Sequence, residues 1–295
     1  YGGPWGMDSD FQIHRVIPLW DALEECPALT DQDRLDVSRI LHQWVSDLIY
    51  KGRPHGDQVR FNHTTFPALG GLYAGQYFER YYGDLQAKQW LRQAHEVFRS
   101  QAATTKPHCD CNSYQWLTVH HTMLYALASG DLTFFENGNL RRLADYLLMG
   151  QNPLGDGVAY GDIGGWRGGR AGEPLLRGAY WFRPDPVVAW LLGGGAPGDL
   201  KPVTGAYALP LGEQRPPAES LGLTSWPLTR AWYDTFPGVQ GVPFAATVDK
   251  IACRSGYETD AAYLLLDGLG GGGHGHMEAN AVLQWCEQGR IWLTD

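Results

Sequence analysis

Gly270-Gly-Gly-Gly-His274-Gly-His276-Met-Glu-Ala-Asn280 is the stretch on which the reading of this chain turns. Four glycines before a histidine let the backbone turn sharply or approach a ligand closely. No Lys-Ser/Thr follows and no helix begins there, so this is not a phosphate-binding loop. His274 and His276 stand two apart, which puts both on one face of a strand. They can serve one site together, one can face a substrate and the other a metal, or the pair can be buried in a core. Strand-like runs surround the segment: Thr247 to Cys253 and Ala261 to Asp267 before it, Ala281 to Cys286 and Ile291 to Thr294 after it, with Gly-containing turns between. The expectation is an antiparallel sheet that stops at Asp295 after four strands. An open edge of that kind is normally covered or paired, which leads to the expectation of a truncated chain.

Upstream, the period changes from two to that of a helix. Thr30, with Asp33 three residues on, has the form of a capping box, and Val37, Ile40, Leu41, Trp44 and Leu48 follow at helical spacing. A second helix is expected after Pro67, ending near Gly83. Asp84 is placed to cap a third that runs to about Ala102. A fourth starts around Ser113, a fifth fills Thr133 to Met149, and a short sixth covers Pro184 to Leu192. Short Gly/Asp turns between them suit an antiparallel helical array. The Gly-rich stretch from Gly150 to Tyr180 is too long for a plain connector, and Gly193 to Pro227 reads as a boundary. The expected division is a helical domain over 1–230 and the first strands of a sheet domain over 231–295.

A chain of 295 residues with 44% hydrophobic and 19% charged residues has ordinary globular composition. The net charge of −9 argues against a nucleic-acid partner. No stretch has the length of a membrane span. The N-terminal Tyr-Gly-Gly-Pro-Trp lacks the features of a signal peptide and reads as an entry point partway through a longer protein. Five cysteines, Cys26, Cys109, Cys111, Cys253 and Cys286, are an odd number without framework spacing. The 12 Trp and 15 Tyr would suit sugar-stacking surfaces as well as core packing.

Two further clusters carry chemistry. Arg60-Phe-Asn62-His63 lies just before the second helix, where amide and imidazole donors beside a helix N-terminus can bind a carboxylate; Asn62 can equally cap the helix, with His63 on the surface. Cys111-Asn112-Ser113-Tyr114-Gln115-Trp116 opens the fourth helix. A tyrosine there can work as base or acid if neighbouring cations ease its ionisation, or it can be an ordinary core or surface residue. His121 follows two turns later on the same face, as a supporting group or a satisfied structural histidine.

Taken together, these clusters resemble the heparinase II/III-like polysaccharide lyases. His274-Gly-His276-Met-Glu-Ala-Asn280 followed by Gln288-Gly-Arg-Ile-Trp-Leu-Thr-Asp295 looks like that family's His-x-His-x-Asp-x-Asn strand and the Gly-Arg-x-Trp-Leu-x-Asp strand after it, with Glu278 where Asp is common. Asn62-His63 matches its Asn-His motif, and Asn112-Ser-Tyr114-Gln its tyrosine helix. The resemblance implies an incomplete α/α toroid, mainly α, followed by the beginning of an antiparallel β-sheet domain. It implies cleavage of a uronate-containing acidic polysaccharide, such as a glycosaminoglycan or alginate, by β-elimination. Asn62 would neutralise the uronate carboxylate, His63 would assist or act as base for one C5 epimer, Tyr114 would act as base and acid, and His274 would complete the site. Arg60, Gln115, Trp116, Trp166 and Arg254 would bind substrate. An acidic body with an acidic substrate further requires a locally basic cleft, for which Arg60, Arg167, Arg170, Arg177 and Arg254 are available.

The resemblance also implies a structural zinc in the full-length protein, held in part by His276 and Asp295, and no organic cofactor. Two ligands do not make a zinc site. A periplasmic or secreted location suits a bacterial enzyme of this kind. Two other functions are open to a helical toroid. A glycoside hydrolase needs two carboxylates flanking the bond, where these clusters offer His, Tyr and Asn. A glycan-binding or assembly protein without catalysis would be indifferent to Tyr114→Phe.

Overall fold

The computed structural model describes residues 10–49, 62–104, 111, 114–161, 172–193, 210–218, 222–228, 230–235, 241–268 and 281–294. Helices come first and an antiparallel sheet last, the architecture of a partial helical toroid followed by a β-domain. The chain divides into two compact units, Tyr1–Ala103 with Leu124–Asp131, and Thr104–Met123 with Leu132–Asp295.

The first unit is built on α1 (Asp10–Leu23), α2 (Asp31–Ile49), α3 (Asn62–Tyr82) and α4 (Leu85–Ala102). The capping box is formed at α2: Asp33 N–H donates to Thr30 Oγ1 at 3.2 Å while Thr30 N–H donates to Asp33 Oδ2 at 2.9 Å. Asp84 caps α4 by accepting from the N–H of Gln86 at 2.9 Å. Helix α3 is buried along most of its length and the others pack onto it. Ile13, Ile17 and Trp20 of α1, Leu41, Val45 and Leu48 of α2, and Trp90 of α4 form one core with Tyr77 and Phe78. Each such side chain contributes roughly 1.5–3 kcal/mol by leaving water. Gly70 and Gly71 permit the close approach. A methyl on Gly70 would lie 2.5 Å from Ile13 Cγ2, and one on Gly71 would lie 2.4 Å from Ile49 Cδ1.

Two expectations change here. Helix α1 was not read from the sequence, because Pro18 interrupts its interior. Helix α3 starts no later than Asn62, ahead of Pro67, which sits inside it. The ring removes one rung of the hydrogen-bond ladder without ending the helix. Asn62 and His63 therefore stand on helix α3 itself.

Helix α5 (Tyr114–Ser129) begins in the second unit and ends in the first. The second unit continues through α6 (Thr133–Glu136), α7 (Asn139–Met149), α8 (Glu173–Phe182), α9 (Pro186–Gly193) and α10 (Arg230–Thr235). The single helix expected over Thr133 to Met149 is broken between α6 and α7, where Gly138 takes φ 82°. Helix α8 occupies the end of the stretch expected to be loop, with Pro174 in its first turn.

The sheet runs β1 (Gly222–Pro227), β2 (Val248–Arg254), β3 (Tyr263–Asp267), β4 (Val282–Glu287) and β5 (Arg290–Thr294), each strand antiparallel to the next. The last four are the strands expected. The first lies in the stretch read as a boundary and pairs Gly222 with Arg254 through Trp226 with Lys250. Gln288 and Gly289, with φ 52° and 70°, make the tight turn from β4 to β5.

Candidate active site

Asn62 and His63 occupy the first described turn of α3 and behave very differently. Asn62 is 1% exposed. Neither its Oδ1 nor its Nδ2 has a hydrogen-bond partner among the described residues. Burying an amide without partners costs on the order of 1–3 kcal/mol. Asn62 makes no capping contact of the kind the sequence left open.

The His63 side chain is half exposed, and its Nδ1 lies 2.7 Å from Oδ2 of Asp10, whose side chain is 3% exposed. Phe11 packs on the imidazole with ring centroids 4.9 Å apart, and Phe66 lies against Phe11 at 4.6 Å. Asp10 is a residue the sequence reading missed. Its signal was the run Ile13, Ile17, Trp20, whose spacing of four and three marks the buried face of α1.

Tyr114 belongs to the second unit and stands in the first described turn of α5, half-buried. Its backbone N–H donates to Cys111 Sγ at 3.4 Å, so the fully buried Cys111 supports the start of the tyrosine helix. Among the described residues, Cys26, Cys253 and Cys286 are free thiols. Trp116, expected to bind substrate, is 4% exposed and packs against Tyr146 with centroids 6.1 Å apart. A stacking face on a sugar would require that packing to open. His121 is buried on the same helix.

Arg254, the other described residue expected at the substrate, ties β2 to the end of α7. Its Nη2 donates to the carbonyls of Gln151 at 2.8 Å and of Leu148 and Met149 at 3.3 Å. The guanidinium is stacked on the rings of Tyr257 and Tyr263, 4.5 and 4.8 Å from their centroids. Tyr263 donates to the same Met149 carbonyl at 2.8 Å, and burial pushes its phenol far above the ordinary range. Arg177, counted among the cations of a basic cleft, lies on α8 in an ion pair with Glu173 at 2.7 Å.

Arg60, Trp166, His274, His276 and Asp295 lie outside the described residues, as do Arg167, Arg170 and the side chain of Gln115. Among the described residues no group of three or more His, Cys, Asp or Glu is placed to hold a metal. No described helix is long and apolar enough to cross a membrane.

No protein-family model and no curated protein matches this sequence. Solved structures do. A heparinase III aligns over 100% of this chain and 44% of its own, with a TM-score of 0.61 and 12% identity. A heparinase III with methylated lysines aligns over 96% of this chain and 39% of its own, with a TM-score of 0.61 and 11% identity. A mutant of the heparan sulfate lyase HepC from Pedobacter heparinus aligns over 98% and 42%, with a TM-score of 0.55 and 13% identity. The fold is thus shared with heparinase III, and the chain spans well under half the length of those proteins.

Proposed function

We propose that this chain carries the catalytic helices of a lyase that cleaves a uronate-containing polysaccharide by β-elimination. The observation that carries the reading is the Asn62 amide, buried and without a partner among the described residues. A proton next to a carboxylate is very weakly acidic until the negative charge is masked. A preorganised amide aimed at the carboxylate has the largest effect on such a barrier, because its hydrogen bonds strengthen as charge develops.

In this reading Asn62 holds the uronate carboxylate, and His63 either assists it or serves as base for one C5 epimer. Tyr114 takes the C5 proton and returns a proton to the leaving glycosidic oxygen. The C4–O bond breaks as the C4=C5 double bond forms, leaving an unsaturated uronate at the new non-reducing end. His274 completes the site, with Arg60, Gln115 and Trp166 at the substrate. The fold shared with heparinase III and a heparan sulfate lyase favours a glycosaminoglycan over other uronate polymers. A structural zinc held in part by His276 and Asp295 and a periplasmic or secreted location belong to the same reading, and none of these steps passes through a metal.

The test is incubation with heparan sulfate, other glycosaminoglycans and alginate, followed by ultraviolet absorbance of the unsaturated product. Wild type should generate it, and Tyr114→Phe should abolish it without loss of helical signal. Near-wild-type turnover by Tyr114→Phe removes the role given to Tyr114. New reducing ends without the absorbance would mean hydrolysis instead, and binding without cleavage would mean a glycan-binding protein.

A further inference from the structure

Asp10 is placed with more care than a surface carboxylate needs. It stands in the first described turn of α1, and the Ile13–Gly70 contact holds that helix against α3 at a separation a single methyl would disturb. One oxygen, Oδ2, lies 2.7 Å from His63 Nδ1. The other, Oδ1, is buried and has no partner among the described residues. A carboxylate withdrawn from water to meet one half-exposed imidazole is a poor way to gain stability, because its desolvation offsets most of the attraction. What the arrangement does achieve is control of the imidazole.

We infer that Asp10 is a positioning residue for His63: its buried carboxylate accepts the Nδ1 proton and makes Nε2 the basic nitrogen that serves the uronate. This rests on the lyase reading of Asn62 and His63 and adds a member to that site. An imidazole whose Nδ1–H is held by a carboxylate is fixed in one tautomer and orientation, and its protonated form is favoured. Phe11 closes one side of the ring and limits its rotation. The other titratable groups on this stretch of α1 are His14, buried with its ring against Phe66 at 5.5 Å, and the exposed Arg15. Asp10 is thus a carboxylate that meets His63 from α1.

The experiment reads His63 directly and separately from turnover. Nitrogen NMR of the labelled imidazole in the wild-type chain should show the neutral ring protonated at Nδ1. In Asp10→Asn, which preserves shape, the His63 titration should move down by about one pKa unit or more. On a glycosaminoglycan that the wild type cleaves, the same variant should lose at least about tenfold in kcat with little change in KM. In a His63→Ala background Asp10→Asn should cost nothing further. A wild-type ring protonated at Nε2, an unchanged titration in Asp10→Asn, or a kcat loss that persists in full without His63 each overturns the inference. If Asp10→Asn loses helical signal, the wild-type tautomer alone decides. Failure of the wild type to cleave any uronate polymer overturns the lyase reading instead, and the NMR arm still judges whether Asp10 sets the state of His63.

Discussion

The Lys250 ammonium lies 2.7 Å from Oδ1 of Asp267 and 3.0 Å from Oδ1 of Asp249, with all three side chains at most 1% exposed. The ring of Tyr160 lies over it, 5.3 Å away. Such a cluster holds only while it is complete. Lys250→Met should destabilise the sheet by roughly 3–5 kcal/mol, since it removes the cation that both buried carboxylates contact. Urea denaturation followed by tryptophan fluorescence measures this. A midpoint equal to wild type would show that the cluster does not hold the strands.

Asn62 should separate stability from activity. Its amide has no described partner, so Asn62→Leu, which keeps the branching at Cγ, should leave thermal stability unchanged or slightly raised. The same variant should lose about 10²–10³ in turnover, the usual loss for one preorganised donor to developing charge. A large fall in the melting temperature would point to a structural amide instead.

At Asp84, burial pushes the carboxyl up, but the Gln86 N–H and the His42 ring outweigh it and hold it below its ordinary value. His42 Nε2 lies 2.9 Å from Oδ2. A carboxyl with a lowered folded-state value adds stability above its unfolded value, about 3.9. That contribution is lost as the pH falls through the folded value. Asp84→Ala should therefore cost about 1 kcal/mol at neutral pH, with the difference from wild type shrinking as the pH falls below the unfolded value. Asp84→Asn should keep most of the cap. Denaturation curves at both pH values test this, and a pH-independent difference would exclude the carboxylate as the cause.

Gly268 follows β3 and donates to the Asp249 carbonyl at 2.7 Å. A methyl there would lie 2.4 Å from the Val248 carbonyl oxygen and 2.9 Å from its carbon, both backbone atoms. Gly268→Ala should cost about 1–3 kcal/mol, the usual range for overpacking, read as a fall in melting temperature. Wild-type stability would mean that the strands yield there at no cost.

Local chemistry made some elements legible and tertiary packing hid others. Helices α2 and α4 declared themselves through Thr30-Asp33 and Asp84, because a cap is a contact within one turn. Strands β2 to β5 showed through alternation and through the Gln288-Gly289 turn. Helix α1 was hidden by Pro18, α8 by glycine-rich surroundings, and β1 by the proline at its end; each is held by packing or pairing that composition does not report. The candidate site followed the same division. Asn62, His63 and Tyr114 could be picked out by residue type and order, whereas Asp10 reaches His63 only because α1 folds against α3.

Arg254 has a consequence for the order in which the chain assembles. The last carbonyls of a helix have no partner within it, and for α7 those of Leu148 and Met149 receive a guanidinium more than a hundred residues downstream. During synthesis, α7 can coil as soon as it emerges, but its C-terminal turn stays frayed until β2 has been made and has found its place. Closing so long a loop is slow compared with forming a helix. In pulse-labelled hydrogen exchange on the refolding chain, protection at the Gly150 amide should therefore appear together with β2, after the middle of α7.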